Sequence, residues 1–495
     1  MLRKNYRALL QYFAFTVVCL SANYLVRSAQ AADSDRPNII WLMADDLGYG
    51  DVGCYGQKVI ATPNIDQMAR EGLRFTQFYS GATVCAPSRS VLMTGLHHGH
   101  TRVRGNAGAG NPAAQALRAD DFTVAKFLQQ AGYRTALVGK WGLGDDGQAS
   151  TGLPRKQGFD EFVGYLNQRH AHNHFPSFLW RNEEKFPLPN VPELEEPDGS
   201  GYPKKAVQFA DDLLTEEALA FVERNREQPF FLYWTPVIPH ANNERARDLG
   251  NGAQVPDFGP YEKETWPEQD KGQAAMIHRL DTYVGRMLAK LKQLKLDQKT
   301  LFIFTSDNGP HNEARHNLER FQPSGSWTGI KRSLHDGGIR VPMICWWPGT
   351  IAPQQVSEHV GYSGDFFATA AELASRPAPA GLDSISFAST LRGDSSKQAK
   401  HEFLYWEFHE NGFSQATLCE GRYKGIRLRD PDAPIAVYDL QTDPQERVDI
   451  AATNPALAAR LDHYLKSART TNEDWPARKP AAGNQGAKGK KSKSP

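Results

Sequence analysis

Cysteine is scarce in this chain: five residues in 495, at positions 19, 54, 85, 345 and 419, with no Cys-x-x-Cys pair. That is too few for a disulfide framework and leaves room for one bridge at most. An excess of one charge sign is missing too. Lys and Arg number 57 against 56 Asp and Glu, so nothing in the balance points to nucleic acid or a membrane surface as partner. Beyond residue 31 no segment is apolar for long enough to span a bilayer, and no internal repeat has the period of a solenoid or propeller. What remains is enough length for one large α/β domain and a smaller one.

The first 31 residues have a basic start, an apolar stretch from Ala8 to about Val26, and Ala29-Gln30-Ala31 at their end. They read as a secretory signal peptide, which predicts export to a periplasmic or extracellular location. The alternative is a retained membrane anchor, which the Gln, Ser and Asn within the stretch disfavour, so no stable membrane insertion is expected. Downstream, apolar strand-like runs alternate with helical stretches, the signature of a parallel or mixed sheet wrapped by helices. The runs Asn38–Met43, Thr135–Val138, Pro229–Trp234 and Thr300–Phe304 lead respectively to Asp45-Asp46, Lys140, His240 and Asp307-Asn308. Helical patterns fall at Asp121–Ala131, Asp211–Arg224 and Gln273–Leu294. Polar residues thus gather where strands finish, and open α/β sheets bind ligands there. From about Ser396 the pattern changes to short aromatic strands and a helix near Pro455–Ala468, predicting a small α+β subdomain over 397–470 after a catalytic domain over 32–396. Residues 471–495 read as a disordered basic tail.

Asp45, Asp46, Asp307 and Asn308 offer only oxygen ligands. Without histidine or thiolate, such a set suits a hard divalent cation, calcium or magnesium, rather than zinc. An Asp-Asp pair alone is equally a solvated turn, but two such pairs after two buried strands favour the metal.

Seven stretches, in order, carry a resemblance: DDLGYGDVGCYG (Asp45–Gly56), TPNIDQMAREGLRFTQFYS (Thr62–Ser80), CAPSRSVLMTG (Cys85–Gly95), GKW (Gly139–Trp141), SDNGPH (Ser306–His311), GIKRSLHDGGIRVP (Gly329–Pro342) and YDLQTDPQE (Tyr438–Glu446). With them the chain resembles the type I sulfatases of the alkaline phosphatase-like superfamily from about Arg36 to Ile450. The fold this implies is a large, mostly parallel mixed sheet sandwiched by helices, followed by a smaller subdomain with an antiparallel sheet. It also implies that Cys85, in Cys-x-Pro-Ser-Arg, is oxidised to Cα-formylglycine by a maturation system. The aldehyde hydrates to a geminal diol, of which one hydroxyl takes the sulfate and the other expels it by re-forming the aldehyde. A serine would stall at the second step. By the same resemblance Arg89 holds the diol, and Lys140, His240 and Lys331 clamp sulfate oxygens, with His240 a candidate acid toward the leaving alcohol. One calcium ion is expected on Asp45, Asp46, Asp307 and Asn308, with residue 85 completing the set, and magnesium is the poorer fit. Pro87 predicts a helix whose amino end faces the site.

One departure stands out. Where the family commonly has GKWHLG, this chain has GKWGLG, with Gly142 in the histidine's place. A substitute base is sought in QRHAHNHF, where alternate spacing in an extended segment would point His170, His172 and His174 the same way, toward substrate. A solvated loop is the plainer account of such histidines. His172 is the favoured replacement. Tyr165, Asn173, Trp180 and Arg181, together with Tyr405-Trp406-Glu407-Phe408-His409-Glu410, supply groups of the kind that hold sugars, although core packing explains most aromatics equally well. QRHAHN with YWEFHE is similar to sulfatases acting on sulfated polysaccharides, so a sulfated carbohydrate is the expected substrate. The competing readings are a phosphate or phosphonate monoester hydrolase of the same superfamily and a non-catalytic protein that binds sulfated glycans. Gly105–Gly110 only faintly suggests a nucleotide loop.

Overall fold

The computed structural model describes residues 36–106, 112–144 and 150–480. The segment read as a signal peptide, the end of the Gly105–Gly110 stretch and the tail from residue 481 lie outside the described residues.

Five parallel strands form the middle of a ten-stranded sheet: β1 (Asn38–Ala44), β2 (Arg134–Lys140), β3 (Glu161–Tyr165), β4 (Phe230–Thr235) and β5 (Thr300–Ser306), in the order β5-β1-β4-β2-β3. On one side Met343–Trp346 runs antiparallel to β5, and Leu73–Phe75 and Gln355–Ser357 lie beyond it. On the other side two antiparallel strands, Phe178–Arg181 and Glu184–Pro187, close the sheet. The runs are apolar throughout, rather than alternating, because both faces are covered. Along β1, Ile40, Leu42 and Ala44 join one core with the helices α2 (Ala210–Arg224) and α3 (Glu268–Gln293). Ile39, Trp41 and Met43 face a second core, which includes Leu92 and Met93 of helix α1 (Cys85–Thr94) and Phe366 and Phe367. This is the expected mixed, mostly parallel architecture.

The C-terminal part carries a separate four-stranded antiparallel sheet, in order Phe403–Phe408, Ser414–Cys419, Tyr423–Arg427 and Ala436–Asp439. Helix α4 (Pro455–Ser467) packs on it through Leu461, Tyr464 and Leu465. Asn472 and Trp475, within the stretch read as a tail, make contacts with the catalytic body. Asn472 Nδ2 donates to the Arg102 carbonyl at 3.1 Å, and Trp475 is buried with its Nε1 on the Ala114 carbonyl at 3.2 Å. The aromatic ring holds this stretch against the catalytic body. The described cysteines 54, 85, 345 and 419 are all free, so the possible single bridge is not formed among them. No helix among the described residues is long and apolar enough to cross a membrane.

Candidate active site

In-register pairing of β1 with β5, from Asn38 opposite Thr300 to Ala44 opposite Ser306, brings Asp45-Asp46 and Asp307-Asn308 out side by side at the carboxyl end of the sheet. There the Asp46 backbone N–H donates to Asp307 Oδ1 at 3.1 Å, and Asn308 Nδ2 donates to Asp46 Oδ1 at 2.7 Å. Asp46 is in the left-handed region at φ 65, a conformation Asp tolerates better than most residues. Asp45, Asp46, Asp307 and Asn308 are all fully buried. Asn308 Oδ1 is a buried acceptor with no partner.

Cys85 opens α1, all ten residues of which are buried, and the helix ends on Gly95 in the left-handed region. Its Sγ lies 3.3 Å from Asp45 Oδ1. Burial, with the Asp45 charge adding to it, pushes the thiol well above its ordinary pKa. Cations surround the acidic cluster. Lys140, the last residue of β2, pairs with Asp45, and Arg89, one turn into α1, donates to Asp307 Oδ2 and to the Lys140 carbonyl, both at 2.8 Å. Lys331 Nζ is 2.9 Å from Asp46 Oδ2, 2.9 Å from Glu313 Oε2 and 3.1 Å from His240 Nε2. Burial works against ionisation of Asp45, but Lys140, His240 and Arg89 outweigh it and hold the carboxyl well below its usual range. Asp307 goes the other way, to about 7, because burial and the nearby Asp45 charge exceed what Arg89 supplies. Three buried carboxylates and an orphaned amide oxygen are a donor set that fits a hard cation.

His240 follows β4, and its Nδ1 donates to the Ala241 carbonyl at 2.7 Å, leaving Nε2 to accept from Lys331. Burial and Lys331 keep the ring neutral, its pKa well below the ordinary value. The site opens into a cavity of about 520 Å³, lined among others by Cys85, Gly142, Gln168, His172, His240 and Lys331.

The 170–174 segment is not extended. Asn167 Oδ1 accepts from the His170 N–H at 2.7 Å, an Asx-type turn that curls His170–His172 into a single 3-10 turn. The three histidines therefore point apart. His170 is buried against the Phe178 carbonyl, and His174 is buried with Nε2 on the His240 carbonyl at 2.9 Å, so neither faces the cavity. His172 does. It stacks on His240 with centroids 5.1 Å apart and 9° between planes, and its Nδ1 donates to Glu244 Oε2 at 3.1 Å. A carboxylate only accepts, so in the neutral ring His172 Nε2 carries the lone pair.

The wider sugar-binding set largely packs elsewhere. Tyr165, Asn173, Tyr405 and Trp406 are buried, the last with Nε1 on the Ser80 carbonyl. Glu407 is buried among Arg104, His409 and Arg469, and Arg181 pairs with Glu217 at the sheet edge. Glu410 alone of that run lines the cavity, paired with Arg332 at 2.9 Å. Glu313, Glu244 and Gln168 were not foreseen. Glu313 stands two residues after SDNGPH and Gln168 heads QRHAHN, so both sat beside motifs that were read. Glu244 carried no such signal.

The sequence profile of the Sulfatase family matches residues 37–375, and that of the N-sulphoglucosamine sulphohydrolase C-terminal region matches 327–471. The chain belongs to the sulfatase family. This sulfatase is 28% identical to an N-acetylgalactosamine-6-O-sulfatase of Bacteroides thetaiotaomicron, covering 94% of this chain and 100% of that protein. It is 31% identical to human arylsulfatase A, over 86% and 85% of the respective chains. A solved Bacteroides thetaiotaomicron structure, described under the metabolism of multiple glycosaminoglycans, superposes with a TM-score of 0.69 at 25% identity, over 88% of this chain and 99% of that one. The protein i-CgsB, solved with a neocarrahexaose, gives 0.71 at 25%, over 90% and 94%. A phosphonate monoester hydrolase of Agrobacterium radiobacter, at 19% identity and a TM-score of 0.60, shares the fold alone. The fold does not separate the two chemistries, and membership of the sulfatase family decides for sulfuric ester hydrolysis.

Proposed function

We propose that this sulfatase releases sulfate from a sulfated saccharide, with residue 85 as formylglycine and one calcium ion on Asp45, Asp46, Asp307 and Asn308. The observation that carries it is the convergence of a buried residue 85, an oxygen-only cluster with an unpartnered Asn308 Oδ1, and the cations Arg89, Lys140 and Lys331 in one water-poor site. An unmodified Cys85 is a poor nucleophile here, since burial beside Asp45 disfavours the thiolate. A hydrated aldehyde at that carbon needs no thiolate and supplies the two hydroxyls that attack and release require. The bound ion would supply positive charge to the sulfate oxygens.

The chain's own residues account for the rest. Arg89, fixed between Asp307 and the Lys140 carbonyl, orients the side chain at 85 from one turn away. Lys140 and Lys331, each paired with an aspartate of the cluster, are placed to bind sulfate oxygens and stabilise the charge that develops there. His240 is neutral with its lone pair toward Lys331, so the proton for the leaving alcohol is drawn from the Lys331–His240 pair rather than from an imidazolium. His172, oriented by Glu244, keeps a free Nε2 beside His240 and takes the proton that the missing histidine at 142 cannot. The sugar assignment draws on the N-acetylgalactosamine-6-sulfatase and arylsulfatase relatives.

Two measurements test this reading. Mass spectrometry of the tryptic peptide Phe75–Arg89, from protein made with a maturation system, is expected to show formylglycine. Active protein carrying only cysteine would end the mechanism. Sulfate release from a panel of defined sulfated saccharides, including 6-sulfated N-acetylgalactosamine, is expected for at least one member. Phosphonate ester cleavage with no sulfate release from any would overturn the substrate class.

A further inference from the structure

Most charged groups around the cavity are already matched. Arg169 pairs with Asp198 at 2.9 Å, Arg332 with Glu410 at 2.9 Å, and His172 with Glu244. The buried polar side-chain atoms of the described lining that lack any partner belong to two amides: Gln168 Oε1 and Nε2, and Asn243 Oδ1. Gln168 lies over Gly142. A Cβ built on residue 142 would stand 2.2 Å from Gln168 Nε2, so the amide occupies the volume that any side chain at 142 would need. Gly142 itself is at φ +78, a conformation that glycine adopts freely. Asn243 lines the same cavity from the start of the short helix Asn243–Leu249, three residues after His240.

Buried amide atoms are seldom left unpaired, and beside a cavity a ligand or ordered water is the natural partner. The chemistry of the pair indicates which ligand. A sulfate ester oxygen accepts and never donates, so it can satisfy Gln168 Nε2 but repels the bare acceptors Gln168 Oε1 and Asn243 Oδ1. A sugar hydroxyl both donates and accepts. So does an acetamido group, with its N–H and C=O. We infer that Gln168 and Asn243 form a recognition pair for the uncharged hydroxyl or acetamido groups of the sugar that carries the sulfate, with Gly142 kept side-chain-free to admit Gln168. This rests on the reading of the protein as a saccharide sulfatase and names the residues that choose the sugar. Discrimination through buried amides is steep, because an analogue lacking the matching group leaves them unsatisfied in the complex.

The test separates sugar recognition from sulfate binding and from turnover. In a Cys85→Ala background, which binds without turning over, calorimetry compares two probes on the parent, Gln168→Leu and Asn243→Ala. One is inorganic sulfate. The other is the sulfated monosaccharide that the wild type cleaves fastest, or N-acetylgalactosamine 6-sulfate if it cleaves none. Each substitution is expected to weaken saccharide binding about ten-fold or more relative to inorganic sulfate, and sulfate binding itself reports that the pocket is folded. Equal weakening for both probes would mean that the amides serve the sulfate or the fold, and no weakening would mean that they serve nothing. Either result overturns the inference. Failure of the sulfatase reading shows separately, as absence of sulfate release by the wild type.

Discussion

At the scale of single residues, the proposed mechanism gives Asp307 and His172 separable parts of the chemistry. Asp307 ties Arg89 to the oxygen cluster, and burial beside Asp45 lifts its carboxyl to about 7. Asp307→Ala is expected to abolish stoichiometric calcium, read by metal analysis of the purified protein, and to lower turnover by two orders of magnitude or more, as loss of a charge-stabilising group does. Calcium retained at full occupancy in the variant would remove Asp307 from the ligand set. His172 should act on rate rather than affinity. His172→Ala is expected to lower kcat by roughly 10²-fold or more, the usual share of a general base, with KM changed far less. Glu244→Gln keeps the shape and loses the charge that orients the ring, and should lower kcat by a smaller factor. A His172→Ala variant that changes only KM would make the ring a sugar contact instead of a base.

At the scale of elements, the two turns that meet beside residue 85 decide what fills the cavity wall. One leaves β2 through Gly142 and the other is the 3-10 turn His170–His172 started by Asn167. Gly142→Ala is expected to cost about 1–2 kcal/mol of stability from its left-handed backbone and to push the flexible Gln168 amide aside. If so, the losses of saccharide turnover in Gly142→Ala and Gln168→Leu should be strongly non-additive in the double variant, measured as kcat/KM. Full additivity would show that the two positions act independently, whatever their proximity. The same turns mark what the sequence disclosed. The strand runs ending in Asp45-Asp46, Lys140 and Asp307 were legible because a strand buried on both faces is a continuous apolar run, and its polar terminus is conspicuous. The histidine loop misled because alternation was read as extension, while Asn167, one residue outside the quoted run, sets a turn through its own side chain. Glu244 had no pattern to find, since its role arises from packing between segments far apart in sequence, and Gln168 stood in a quoted run without any mark of the packing over Gly142.

At the scale of the whole molecule, a buried cation ties the C-terminal sheet to a loop of the active site. Lys424, on the strand Tyr423–Arg427, is wholly buried, 2.7 Å from Asp336 Oδ1 and 2.9 Å from Glu446 Oε1. Asp336 also takes Arg340 at 3.0 Å and the Tyr79 hydroxyl at 3.2 Å, and its own N–H donates to Glu446 Oε2 at 2.7 Å. Asp336 closes the same loop that carries Lys331, so the small sheet fixes the segment that presents Lys331 to Asp46 and His240. Removing one member of a buried ionic cluster strands the others without water, at a cost of about 3–5 kcal/mol. Lys424→Met is therefore expected to lower the unfolding free energy by that amount in chemical denaturation. The loss should be larger above pH 7 than below it, because burial raises the Glu446 carboxyl to about 7 even with Lys424 lowering it; without Lys424 it keeps its proton to higher pH, and below 7 it is protonated in both proteins. Well below its melting temperature the variant should also lose sulfate affinity, since the loop holding Lys331 is no longer pinned from behind. A variant that unfolds early yet binds inorganic sulfate like the parent would show that the C-terminal sheet stabilises the molecule without setting the geometry of the site.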